Sequence, residues 1–239
     1  MVRTVIWYIY FWYRLMLTYP ALQKVKKLYK NGQKEEMDLL IYQTETSWGR
    51  SLVKLTGSTI EVKGRENLPE NGHFVLVSNH QGNFDIPILL GYLERPMGFI
   101  SKIEVKKLPI IRDWMVYMNC VFLDRKDRRQ AIKAINEGAE NIKKGTSIVV
   151  FPEGTRSKGM KMNPFKSGSF KLAQKASATI VPVAIKGSYK ILEGNGGLIK
   201  PAVVTVTILP CIKAEEYLNK NLKVVANEVQ ELIKNELEK

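Results

Sequence analysis

His80 is one of two histidines in the chain, and a carboxylate, Asp85, follows it five residues on. Positions five apart on an ideal helix are about 140° apart, so the pair meets only if His80 sits on a loop and a helix begins near Asp85. Gly82 gives that loop freedom, and Pro87 suits a first helical turn. A carboxylate bonded to one imidazole nitrogen fixes the tautomer and stabilises the imidazolium, and the other nitrogen then takes a proton from a hydroxyl. Asp85 as a plain helix cap is the structural alternative. There is no G-x-S-x-G elbow to supply a serine nucleophile. Cys120 and Cys211 both lie in apolar runs, as buried thiols do. The simplest nucleophile is therefore a hydroxyl of the substrate, and the transfer is direct, without a covalent enzyme intermediate.

A second cluster reads Phe151-Pro152-Glu153-Gly154-Thr155-Arg156-Ser157, and a shorter one reads Asp124-Arg125. The guanidinium fork of Arg156 or Arg125 matches two phosphate oxygens. Glu153-Gly154-Thr155 forms a tight turn whose backbone amides can face an anion. No metal-ligand spacing is visible, so neither metal nor cofactor is expected.

These clusters need a frame that brings them together. Short β-branched runs alternate with helical stretches from Thr59 onward. The strands expected are Thr59–Val62, Phe74–Ser78, Gly98–Ser101, Val121–Leu123, Ser147–Phe151, Ile180–Ile185 and Val203–Leu209. The helices expected are Ile86–Leu93, Val105–Met118, Arg128–Lys144, Ser167–Ser177 and Glu215–Leu237. This alternation predicts an α/β body with a mostly parallel central sheet flanked by helices. Ligands in such sheets bind beyond the carboxyl ends of strands, and each polar cluster follows a predicted strand.

The clusters resemble the sequence blocks of the glycerolipid acyltransferases, specifically the 1-acyl-sn-glycerol-3-phosphate acyltransferases. Asn79-His80-Gln81-Gly82-Asn83-Phe84-Asp85 looks like their His-x4-Asp block, and Val121-Phe122-Leu123-Asp124-Arg125 like the second. Phe151 to Ser157 is similar to the third, and Ile180-Val181-Pro182-Val183-Ala184-Ile185 to the fourth, all in family order. The resemblance covers roughly Val62 to Leu209. It implies that His80 is the general base and Asp85 its orienting partner. Arg125, Glu153, Gly154 and Arg156 would line the acceptor-phosphate side, with Thr155 in the same turn. Lys102 stands where the family often has a phosphate-contacting lysine, although Ser101 replaces the usual small Ala or Gly before it. The implied reaction passes an acyl group from a thioester of acyl carrier protein or coenzyme A to the 2-hydroxyl of lysophosphatidic acid, giving phosphatidic acid. Amides near Gly154 would hold the oxyanion. Glycerol-3-phosphate or another lysophospholipid is the alternative acceptor.

The N-terminal stretch is unlike the rest. Met1 to Leu22 is apolar and aromatic, interrupted by Arg14, and Lys24, Lys26, Lys27 and Lys30 follow. Trp and Tyr favour a membrane interface, and lysines favour an anionic leaflet. A second helix is expected from Gln33 to Leu55, after a turn at Lys30-Asn31-Gly32 and before a stop at Gly57. Residues 1–57 thus read as a two-helix membrane-anchoring hairpin, like the anchor of bacterial family members, and residues 58–239 as the catalytic domain. The expected location is the cytoplasmic face of the cell membrane, held peripherally. A spanning helix and a buried core helix are the other readings of the first segment.

The chain has 239 residues and carries 37 Lys and Arg against 23 Asp and Glu, a formal charge of +14. An apolar content of 45% excludes wholesale disorder, and two cysteines exclude a disulfide scaffold. No acidic residue lies between Glu153 and Glu193, a stretch holding Arg156, Lys158, Lys161, Lys166, Lys171, Lys175, Lys186 and Lys190. The local excess suits a phosphate site, an acidic carrier protein or an anionic membrane surface. No helix-turn-helix, zinc or RNA-recognition signature supports nucleic acid as the partner.

Overall fold

The computed structural model describes residues 1–70, 73–124 and 126–239, without the side chain of Arg128. Three helices come first: α1 (Val2–Leu17), α2 (Tyr19–Lys30) and α3 (Lys34–Thr56). The body follows as β1 (Thr59–Lys63), β2 (Phe74–Ser78), α4 (Asp85–Tyr92), β3 (Met97–Lys102), α5 (Pro109–Tyr117), β4 (Val121–Leu123), α6 (Arg128–Lys143) and β5 (Ser147–Val150). It ends with α7 (Lys171–Ala176), β6 (Thr179–Lys186), β7 (Val203–Ile208), α8 (Ala214–Tyr217) and α9 (Leu222–Glu238).

The strands form one sheet in the order β1-β7-β6-β2-β5-β3-β4. Its pairs are parallel except β6 with β7. This is the mostly parallel α/β sheet expected, with each predicted strand present to within a residue or two. β2 and β5 are buried along their whole length, as strands covered on both faces must be.

Side chains on the two faces pack into separate cores. On one face Phe74, Leu76, Val181 and Val183 meet Leu52 and Val53 of α3 and Ile88 and Leu89 of α4. On the other, Val75, Val77, Ile148 and Ile180 meet Ile142 of α6, Leu172 of α7 and Val229 of α9. The chain leaves β2 through α4 to reach β3, and leaves β5 through α7 to reach β6 on the opposite side of β2. The strand order therefore reverses direction between β2 and β5, which makes a crevice at their carboxyl ends.

Four predicted helices are broken. The first does not run unbroken from Met1 to Leu22: α1 stops at Thr18, whose hydroxyl donates to Leu15 O at 2.6 Å. Pro20 then sits in the first turn of α2, where its missing N–H costs no bond. α2 extends through the lysines to Lys30. Pro109 likewise restarts Val105–Met118 as a 3-10 turn followed by α5. A 3-10 turn over Ser167–Phe170 precedes α7. The Asn221 side chain, accepting from Lys223 N at 2.8 Å, caps α9 separately from α8. Gly57 ends α3 in the left-handed region at φ 76°, as its position predicts.

α1 and α2 fold back along α3. Trp7 Nε1 donates to Leu52 O at 2.9 Å, and Arg14 Nε donates to Ser51 Oγ at 3.1 Å. Arg14 thus turns towards α3. Leu22, Val25 and Leu28 of α2 meet Met37 and Ile41 of α3 and Trp114 of α5 in a small core of their own. The outward face of α1 stays bare: Ile9 is 65% exposed, Trp12 51% and Met16 60%. No described helix is long and apolar enough to cross a membrane.

Candidate active site

Register between the central strands sets the site. Val77 pairs with Val150, so the residues three positions on, His80 and Glu153, leave the sheet side by side. The two loops are then stitched together: Ser157 N donates to His80 O at 2.8 Å, and Lys158 N donates to Gln81 O at 3.1 Å. From the adjacent strand, Ile185 N donates to Asn79 Oδ1 at 2.8 Å while Asn79 Nδ2 returns a bond to Ile185 O at 2.9 Å. The base of the His80 loop is thereby fixed on both sides.

His80 lies on the loop and α4 begins at Asp85, the arrangement the spacing required. His80 Nδ1 lies 2.7 Å from Asp85 Oδ2. With Nδ1–H donated to the carboxylate, Nε2 carries the ring's lone pair. Asp85 is fully buried. Its Oδ2 also accepts from Gly82 N at 2.9 Å, and its Oδ1 accepts from the Ser188 hydroxyl. Three donors thus hold an ion that burial alone would penalise. The imidazole stacks on Phe151, with ring centroids 4.1 Å apart and planes 16° apart.

Glu153 uses its carboxylate internally. Oε1 accepts from His80 N at 2.6 Å, and Oε2 accepts from Asn163 N at 2.8 Å and Asn163 Nδ2 at 2.9 Å. Burial pushes this carboxyl up, against the pull of those donors. Gly154 takes φ 71°, a left-handed turn that suits glycine. Its N–H donates to Phe151 O at 3.0 Å and so closes the turn. A Cβ there would meet Lys166 Nζ at 2.8 Å, which places that ammonium over the turn.

Arg156 faces the same crevice. Its Nη1 donates to Glu193 Oε1 at 3.0 Å and to Asn83 Oδ1. Thr155 is exposed beside it. Lys102 is exposed at the end of β3, one strand beyond β5 on the same sheet edge. Arg125 lies outside the described residues. The structure therefore gathers His80, Asp85, Glu153, Gly154 and Arg156 into one cluster and leaves Lys102 at its periphery.

Sequence reading missed Ser188, Glu193, Asn163 and Lys166. Ser188 and Glu193 sit on the 3-10 turns after β6, and nothing in their local pattern marks them. Glu193 carries one faint signal, as the acid that ends the acid-free stretch. Neither cysteine joins the site. Burial pushes the Cys120 thiol up to about 12, and Cys211 Sγ donates to Asn67 O at 2.8 Å. Such a dyad can activate a bound hydroxyl, with cations beside it to hold an anionic group.

Residues 59–186 match the family model described as acyltransferase. Over 150 residues the chain is 39% identical to a chloroplastic 1-acyl-sn-glycerol-3-phosphate acyltransferase of Brassica napus, covering 62% of this chain and 43% of that protein. Over 181 residues it is 33% identical to the 1-acyl-sn-glycerol-3-phosphate acyltransferase of Saccharomyces cerevisiae, covering 74% of this chain and 59% of that one. The chain thus spans about half the length of the curated relatives it matches. Among solved structures it resembles the 1-acyl-sn-glycerophosphate (LPA) acyltransferase PlsC from Thermotoga maritima, with a TM-score of 0.83 and 28% identity over 99% of this chain and 95% of that chain.

Proposed function

Since the chain belongs to the acyltransferase family, we propose that it transfers a fatty acyl group from a thioester to the 2-hydroxyl of 1-acyl-sn-glycerol-3-phosphate. The observation that carries this reading is the His80–Asp85 pair, 2.7 Å apart in a crevice at the strand ends. The named acceptor has support from relatives described as 1-acyl-sn-glycerol-3-phosphate acyltransferases and from the cations beside the dyad.

In this mechanism Arg156 and Lys166 take the acceptor's phosphate, with Arg125 and Lys102 as further contacts. The 2-hydroxyl then lies beside His80 Nε2. The imidazole removes the hydroxyl proton as the oxygen bonds to the thioester carbonyl carbon. The tetrahedral intermediate collapses, the C–S bond breaks, and the thiolate takes the proton back from the imidazolium. Phosphatidic acid and a free thiol result. Asp85 steadies the imidazolium throughout. The buried Cys120 thiol, pushed up to about 12, favours direct transfer over an acyl-cysteine.

The donor is a thioester of acyl carrier protein or coenzyme A. Lysines 158, 161, 171, 175 and 190 are exposed and suit either an acidic carrier or lipid headgroups. The acceptor and product are lipids, so the bare face of α1 is read as an interfacial anchor on the cytoplasmic face of the membrane, and residues 1–57 as its hairpin.

The test is thiol release by purified protein, with both donors and a panel of lysolipid and glycerol-3-phosphate acceptors. His80→Ala should lower turnover at least about 100-fold while the fold is retained. Substantial residual turnover in folded His80→Ala would sink the base assignment, and a better glycerol-3-phosphate rate would change the acceptor.

A further inference from the structure

Glu193 lies outside every block that resembles the family, yet it meets both Arg156 and the loop that carries His80. Its side chain is 7% exposed. Oε1 accepts from Arg156 Nη1 at 3.0 Å and from Asn83 N at 2.8 Å. Oε2 is buried, with no hydrogen-bond partner among the described residues. It presses on Gly82, where an added Cβ would come within 2.4 Å of it. A carboxylate this deep is held by the guanidinium it meets.

Arg156 is fixed at one corner only. Nη1 is shared between Glu193 and Asn83, and among the described residues Nε and Nη2 make no hydrogen bond to the protein. A guanidinium presents its donors in one rigid plane. Fixing Nη1 therefore sets the direction of the remaining N–H groups, and a bidentate phosphate contact depends on that direction. An unfixed arginine would lose side-chain freedom each time a ligand bound. Glu193 removes that loss in advance, and through Asn83 N it ties the cation to the loop that carries His80.

We propose that Glu193 is a positioning residue for acceptor binding, one that pins Arg156 to the His80 loop with the rest of the guanidinium aimed at the substrate phosphate. This rests on the reading of Arg156 as a phosphate ligand. Glu193 itself touches neither the phosphate nor the reacting hydroxyl.

The test is a kinetic series on the full chain in mixed micelles, with 1-acyl-sn-glycerol-3-phosphate varied at saturating acyl thioester. Glu193→Ala deletes the carboxylate. Glu193→Asp keeps the charge on a stem one methylene shorter and preserves most of the volume if the alanine variant unfolds. Each should raise the acceptor KM about tenfold, with kcat within about threefold of the parent. In an Arg156→Ala background the Glu193 changes should add nothing further to KM. An unchanged KM in both variants overturns the proposal, as does an equal rise when Arg156 is absent. A flat KM in Arg156→Ala alone discards the phosphate reading instead. A raised KM there, beside flat Glu193 variants, discards the positioning role only.

Discussion

Glu153 shows how much of the site is devoted to holding the loops together. Its two oxygens accept three hydrogen bonds, from His80 N and from both nitrogens of Asn163. Truncating it leaves three half-buried donors without a partner. Each unsatisfied buried donor costs about 1–3 kcal/mol. Glu153→Ala should therefore lower stability by at least about 2 kcal/mol, read as a fall in the denaturant midpoint with an unchanged slope. A fall in activity with unchanged stability would show instead that Glu153 faces substrate. Asp85 resembles Glu153 in being a buried acceptor, but its bonds include the imidazole itself. Similar burial therefore leaves one carboxylate bonded to backbone and amide groups and the other to an imidazole, and the difference lies in which donor each meets.

At the scale of elements, α3 does double work. It covers one face of the sheet through Leu52 and Val53 and carries α1 and α2 on its other side. It also buries Glu45, whose carboxyl desolvation pushes up from 4.5 to about 9, with neither oxygen hydrogen-bonded among the described residues. The folded chain then keeps a proton that the unfolded chain releases above its ordinary carboxyl range. That stabilisation is complete at pH below 4.5 and declines as pH rises towards about 9. The slope is at most about 1.4 kcal/mol per pH unit. Glu45→Gln should flatten the decline, and parallel melting-temperature profiles for the two proteins would refute the assignment. The strands were legible because β-branched runs buried on both faces leave a plain apolar signature. The helix breaks were not. Pro20 and Pro109 suit a first helical turn as well as a loop, and packing decides which. The His80 and Arg156 blocks were legible because each is short and contiguous. Ser188 and Glu193 were not, because Asp85 lies 103 residues from Ser188, and Arg156 and Asn83 lie 37 and 110 from Glu193, with no spacing rule between them.

For the whole molecule, the decisive contrast is between the two sides of α1. Trp7 and Leu15 are buried, Trp7 against Leu52 of α3, while Ile9, Trp12, Tyr13 and Met16 are exposed. Removing the helix would strip the core contacts of Trp7 as well as the exposed face, so the discriminating change is on the outer face alone. Replacing Ile9, Trp12 and Met16 with serine should cut co-sedimentation with anionic liposomes at least tenfold, since burying three large apolar side chains is worth roughly 1.5–3 kcal/mol each, and should leave the melting temperature nearly unchanged. Undiminished sedimentation would remove α1 from the anchoring role. The pairing of β1 with β7, Thr59 opposite Val203, has a consequence in time. A ribosome adding about 5–20 residues each second makes β1 roughly 7–30 seconds before its partner strand exists. β1, an edge strand whose neighbour in the sheet is β7, therefore waits unpaired until most of the chain has been made.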